Sequence, residues 1–227
     1  MDMNKKIVTS LLIGSIAVAL AACGNDAPEK QAQETASQTQ ERGNAAASAP
    51  EDSYQRTFED CVFLGDSITE GLSFHELLDE KNVLAGAGKT AEFSLEDIGE
   101  LTKRNPKQVF IQLGSDDILW PTDDPIAYSM KNYAKLIGKI KEKLPQTRIT
   151  LLSVTPVTEE AVKMEPRYQN IGRYNQAVKE LAGKEGASFV DLSPIFSGGS
   201  DFYDADGIHF KSEYYTKLLE LLKEQAK

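Results

Sequence analysis

Short apolar runs alternate with helix-period segments along most of this chain, and few folds accommodate that alternation. Cys61-Val62-Phe63-Leu64, Val109-Phe110-Ile111-Gln112-Leu113, Arg148-Ile149-Thr150-Leu151-Leu152-Ser153-Val154 and Ala187-Ser188-Phe189-Val190-Asp191 read as buried strands. Helical patterns fall between and after them, at 68–80, 92–103, 125–144, 168–185 and 214–222. Strands joined through helices must cross over and lie parallel, with helices covering both faces. The expected architecture is a three-layer α/β/α sandwich with a five-stranded parallel sheet, flavodoxin-like in type. In such sheets, ligands bind at the carboxyl ends of the strands.

Gly65-Asp66-Ser67 stands at one such end, directly behind the first apolar run, so Ser67 falls on a strand-to-helix turn. A serine hydroxyl is a weak nucleophile and needs a neighbouring base held by a third group. The chain has only two histidines. His209 follows Asp206 by three residues in a Gly-containing loop before the last helical pattern, so it is the expected base, with Asp206 orienting it. Asp201 and Asp204 are competing acids. His75 falls inside the first helix and reads as a solvent-facing or satisfied side chain.

These two blocks resemble those of the SGNH/GDSL hydrolases, and the resemblance extends from about Thr57 onward. It implies a nucleophile in Gly65-Asp66-Ser67 and an acid and base in Asp206-Gly207-Ile208-His209. It also implies an oxyanion hole formed by the Ser67 N–H, a glycine of the Val83–Thr90 block and a residue of Gly114-Ser115-Asp116-Asp117. Gly88 is the first choice of glycine and Gly86 the second. The family carries Asn where this chain has Asp116. An amide donates to a developing oxyanion, whereas an ionised carboxylate only accepts. A protonated Asp116 still donates, and burial near other negative charge favours that form.

Gly88-Lys89-Thr90 lacks the earlier glycine of a phosphate loop, because Val83 occupies that place. A net charge of −10 argues against nucleic acid and anionic lipid as electrostatic partners. One candidate histidine and scattered carboxylates make no metal ligand set, and no cofactor is expected.

Lys5 and Lys6 precede an apolar stretch from Ile7 to Ala22 that ends in Leu20-Ala21-Ala22-Cys23. The pattern is that of a secretory leader over 1–22, and it resembles a bacterial lipoprotein box with acylation (palmitate) at Cys23. Residues 23–56 are rich in Ala, Gln, Glu, Ser and Pro and read as a disordered tether to a hydrolase domain at 57–227. Cys61 then has no partner cysteine and reads as a small core residue. Trp120, Phe202 and Tyr203 are read equally as pocket walls or as packing.

The expectation is a monomeric, membrane-anchored, extracytoplasmic serine esterase acting on short acyl esters, O-acetyl glycan esters foremost. Lysophospholipid esters are the rival substrate. A non-catalytic ligand-binding lipoprotein is the rival class.

Overall fold

The computed structural model describes residues 50–199 and 201–226. The expected leader, Cys23 and most of the tether therefore lie outside the described residues. Five parallel strands form one sheet: β1 (Cys61–Gly65), β2 (Val83–Ala85), β3 (Gln108–Gln112), β4 (Arg148–Leu152) and β5 (Ser188–Val190), in the order β2-β1-β3-β4-β5. Register pairs Gly65 with Ala85 on one side and with Gln112 on the other. The first crossover runs outward to β2 and all later ones run the other way. The direction therefore reverses beside β1, the point at which open α/β sheets bind ligands.

Side chains alternate across β1, and each face collects its own core. Val62 and Leu64 join Val109, Ile111, Ile149 and Leu151 beneath α3 (Ile98–Arg104), α4 (Pro125–Lys143) and α6 (Ile171–Glu185), which contribute Leu101, Tyr133, Leu136, Ile140, Tyr174 and Val178. Cys61 and Phe63 face the opposite way. There they meet Phe110, and α1 (Pro50–Thr57), α2 (Ser67–Phe74) and α7 (Ser212–Leu222) add Tyr54, Ile68, Leu72, Tyr214 and Leu218. Phe63 stacks on Phe110 with ring centroids 4.9 Å apart. The short helix α5 (Glu159–Met164) lies outside both clusters, although its Ala161 is buried. Cys61 is a free, buried thiol, pushed up to about 11 chiefly by burial, as suits a core residue.

Two expected boundaries move. α1 begins at Pro50, ahead of the expected domain start at 57. It belongs to the fold because Tyr54 is buried and its hydroxyl donates to Glu220 Oε1 of α7 at 2.8 Å. The expected helix over 68–80 ends at Phe74, where His75 caps it and Glu76 takes a left-handed φ of 59°. Leu77 and Leu78 then turn back into the core, with both N–H groups donating to the Leu72 carbonyl.

Candidate active site

Ser67 is the first residue of α2, immediately past the end of β1. Asp66 caps that helix: its Oδ1 accepts from the Ile68 N–H at 3.0 Å. The turn is tight. A Cβ at Gly65 would sit 2.0 Å from Thr69 Oγ1 and 2.4 Å from the Gln112 carbonyl, so glycine is required where β1 gives way to the helix. Ser67 is left half-exposed at the positive end of α2, where first-turn N–H groups lack intrahelical acceptors.

The loop before α7 brings the base to it. His209 Nε2 lies 2.9 Å from Ser67 Oγ, and His209 Nδ1 lies 2.6 Å from Asp206 Oδ2. A carboxylate only accepts, so Nδ1 carries the hydrogen and Nε2 is free to accept the serine proton. Asp206 Oδ1 also accepts from the main-chain N–H groups of Ile208 and His209, each at 2.9 Å. Burial raises the Asp206 pKa, but these bonds outweigh it and hold the carboxyl below its ordinary value. Gly207 makes the turn possible: its φ is 70°, and a Cβ there would fall 2.1 Å from Thr158 Oγ1. The Gly207 carbonyl accepts from the Thr158 N–H at 2.9 Å, which docks the loop on the segment after β4.

The competing acids are occupied elsewhere. Asp201 pairs with Lys211 at 2.9 Å, and Asp204 meets His209 only through main chain, its N–H donating to the His209 carbonyl. His75 is satisfied, with Nε2 3.1 Å from the Phe210 carbonyl and its ring against Tyr215. Trp120 stacks on Tyr128 and abuts Phe93 edge-on. Phe202 is buried, and Tyr203 donates to the Pro156 carbonyl at 3.1 Å.

The segments after β2 and β3 flank Ser67 because those strands flank β1. The Gly86 N–H donates to the Gly65 carbonyl at 3.3 Å and is spent on the sheet. Gly88, with a φ of 74°, makes no hydrogen bond through its N–H among the described residues, so of the two donors named from sequence it is the one left free to donate. Asp116 is half-buried, and its Oδ2 is buried without a hydrogen-bond partner. Desolvation raises its pKa, while His209 draws it down.

Asp117 is a residue the sequence reading passed over. It is buried, accepts from Ser129 Oγ at 2.6 Å and takes the Ala91 N–H at 3.1 Å. Ser129 Oγ in turn lies 2.7 Å from the Tyr174 hydroxyl. Asp117 thus clamps the Gly88 loop to the Asp116 loop and to α4. Burial pushes it up to about 6. Asp66 is fully buried and is pushed up to about 7 by burial first and by Asp116 second, with the Ile68 N–H and Ser115 acting the other way. Three carboxyls therefore crowd the floor of the site. The adjacent Asp116-Asp117 pair was the available sequence signal.

Among the described residues no group of His, Cys, Asp or Glu is arranged to hold a metal ion, and no helix is long and apolar enough to cross a membrane. No curated protein matches the chain in sequence. Solved structures do match in fold. A GDSL-like lipase from Bacteroides thetaiotaomicron aligns over 78% of this chain and 98% of its own, with 21% identity and a TM-score of 0.60. A catalytic mutant of an acetylxylan esterase from Geobacillus stearothermophilus aligns over 73% and 93%, with 18% identity and a TM-score of 0.54. A peptidoglycan O-acetylesterase aligns over 63% of this chain and 45% of its own, with 16% identity and a TM-score of 0.54. The GDSL-like lipase/acylhydrolase family model matches residues 63–217, more than half of the sequence. With that match spanning both the Ser67 turn and the Asp206–His209 loop, the chain belongs to the GDSL-like lipase/acylhydrolase family and is a serine hydrolase.

Proposed function

We propose that the protein is an esterase that removes short acyl groups, O-acetyl above all, from glycan hydroxyls through an acyl-enzyme. The observation that carries this reading is the 2.9 Å approach of His209 Nε2 to Ser67 Oγ, with Asp206 2.6 Å behind the ring. His209 takes the Ser67 proton as Oγ attacks the ester carbonyl, and the carbonyl electrons move onto oxygen. The N–H groups of Ser67 and Gly88 stabilise that oxyanion, with the Asp116 carboxyl beside them. As the tetrahedral intermediate collapses, His209 returns the proton to the departing alcohol. Water, deprotonated by the same imidazole, then releases the acid and restores Ser67.

The acetyl preference is supported by relatives of the same fold that act on acetylxylan and on peptidoglycan O-acetyl groups. A screen of acetylated glycans against acyl esters of rising chain length tests it. Turnover concentrated on acetyl esters is expected, and a rate that climbs with chain length would sink the preference.

The location is also a proposal. Lys5, Lys6, the apolar run to Ala22 and the Leu20-Ala21-Ala22-Cys23 sequence support cleavage before Cys23 and acylation of its thiol. The protein would then be held at the extracytoplasmic face of the membrane. Cys23→Ser should leave the precursor uncut or release the protein from the membrane fraction. Unchanged size and partitioning would rule the anchor out.

A further inference from the structure

A cleft of about 440 Å³ opens beside the nucleophile. Ser67, Glu70, Gly71 and Phe74 line it from one face of α2, at the i, i+3, i+4 and i+7 positions of a single helix. Phe74 stands about 10 Å along the axis from Ser67, at 1.5 Å per residue. Gly71 sits between them, because a Cβ there would lie 2.0 Å from the Tyr215 hydroxyl. His209 also lines the cleft.

This cleft is on the leaving-group side. The departing alcohol takes its proton from His209, so it must sit next to that imidazole. His209 lines the cleft, whereas Gly88 and Asp116 do not.

Two features of the cleft mark the alcohol it takes. Phe74 is a large aromatic side chain left 79% exposed on the wall, an arrangement the core does not explain. Beside the two histidines, His75 and His209, the charged side chains around it are all carboxylates: Glu70, Glu80 and Asp204. None of the three forms an ion pair among the described residues. The lysines nearest in sequence are engaged elsewhere, Lys81 with Asp79 at 3.1 Å and Lys211 with Asp201 at 2.9 Å. Lys211 still exerts some field on Asp204, and the Arg104 guanidinium donates to the Glu80 carbonyl at 3.0 Å, so Glu70 carries most of the unshielded negative potential. An aromatic face with carboxylates outside any ion pair and no lysine or arginine in the lining attracts a cation and repels an anion.

We infer that this cleft is a subsite for a positively charged alcohol portion of the ester, with its ammonium group against Phe74 and the Glu70 and Glu80 carboxylates. The inference rests on the esterase reading above, and it extends that reading to the charge of the substrate. An amino sugar with a free amine and a small amino alcohol share the required chemistry. Phosphorylated or uronic alcohols are disfavoured by the same field.

The test uses the full-length protein and two matched pairs of acetate esters. One pair is acetylcholine and its uncharged carbon isostere, dimethylbutyl acetate; the other is O-acetylated glucosamine with a free amine and O-acetylated glucose. The cationic member of at least one pair should show a kcat/KM about 10-fold higher, the size of a partly desolvated cation–π contact with a carboxylate partner. Glu70→Gln, at an exposed position that leaves the core untouched, should lower that ratio by about 2–5-fold. A preference on the sugar pair assigns an amino sugar, and one on the choline pair assigns an amino alcohol. Equal kcat/KM within both pairs overturns the subsite and leaves the esterase standing. A ratio unmoved by Glu70→Gln overturns the placement of the cation. No turnover of any acetate overturns the esterase reading, and the subsite with it.

Discussion

Asp206 grips His209 twice: Oδ2 takes the ring Nδ1–H at 2.6 Å, and Oδ1 takes the main-chain N–H at 2.9 Å. One carboxylate therefore sets both the tautomer of the imidazole and the path of the loop that carries it.

Asp206→Asn should lower kcat by about 10³–10⁴-fold, because an amide can turn its N–H toward Nδ1 and leave the hydrogen on the wrong nitrogen. Thermal stability should change little, since the side chain is exposed. A variant that keeps more than a tenth of the parent kcat would show that Asp206 does not govern the tautomer.

Asp116→Asn should raise kcat at neutral and alkaline pH. The Asp116 pKa is raised by desolvation, so its neutral, donating form extends upward in pH and is lost as pH rises through that raised value. Asn supplies a permanent N–H, and one oxyanion donor contributes about 10²-fold or more. Parallel kcat–pH profiles on one acetate ester should diverge toward alkali and converge toward acid. An Asn variant equal to or slower than the parent throughout would place Asp116 outside the oxyanion hole.

Asp66→Asn should stabilise the protein at alkaline pH. The folded Asp66 carboxyl titrates at about 7, above the ordinary carboxylate range, so the unfolded chain gives up that proton first. Stability from this group is full below the unfolded value and is lost as pH rises through about 7. Asn keeps the cap on the Ile68 N–H and removes the buried charge on the unpaired Oδ2. Denaturant unfolding at pH 8 should show a gain of about 1–3 kcal/mol that fades toward pH 4, within the range for a buried polar group without a partner. A gain independent of pH would mean that Asp66 does not titrate in the folded state.

The strands and the meeting of Ser67, His209 and Asp206 were legible because each rests on a local signal. Four apolar runs of strand length announced β1, β3, β4 and β5, and the Gly65 and Gly207 turns marked the two loops that meet. β2 is only three residues long, too short to separate from the glycine block by periodicity. Other features depend on contacts distant in sequence. Tyr54 belongs to the fold through Glu220, which lies in α7, while the surrounding composition reads as tether. The end of α2 at Phe74 is set by Leu77 and Leu78 returning to the core, not by a Gly or Pro. Asp117 was given no role from sequence, because its partners Ser129 and Ala91 come from segments distant in the chain. Phe74 fell inside the expected helix over 68–80, and the periodicity gave no sign that the helix stops there.

The central claim is that Ser67 is the nucleophile activated by His209. The most direct measurement is mass spectrometry of the intact protein after treatment with a serine-reactive phosphonate, run beside acetate-ester turnover for the parent, Ser67→Ala and His209→Ala. The account predicts one adduct on Ser67 in the parent, none in Ser67→Ala, and turnover reduced by about 10⁴-fold or more in both variants, because nucleophile and base fail as a unit. Labelling at another residue, or full turnover by Ser67→Ala, would contradict it.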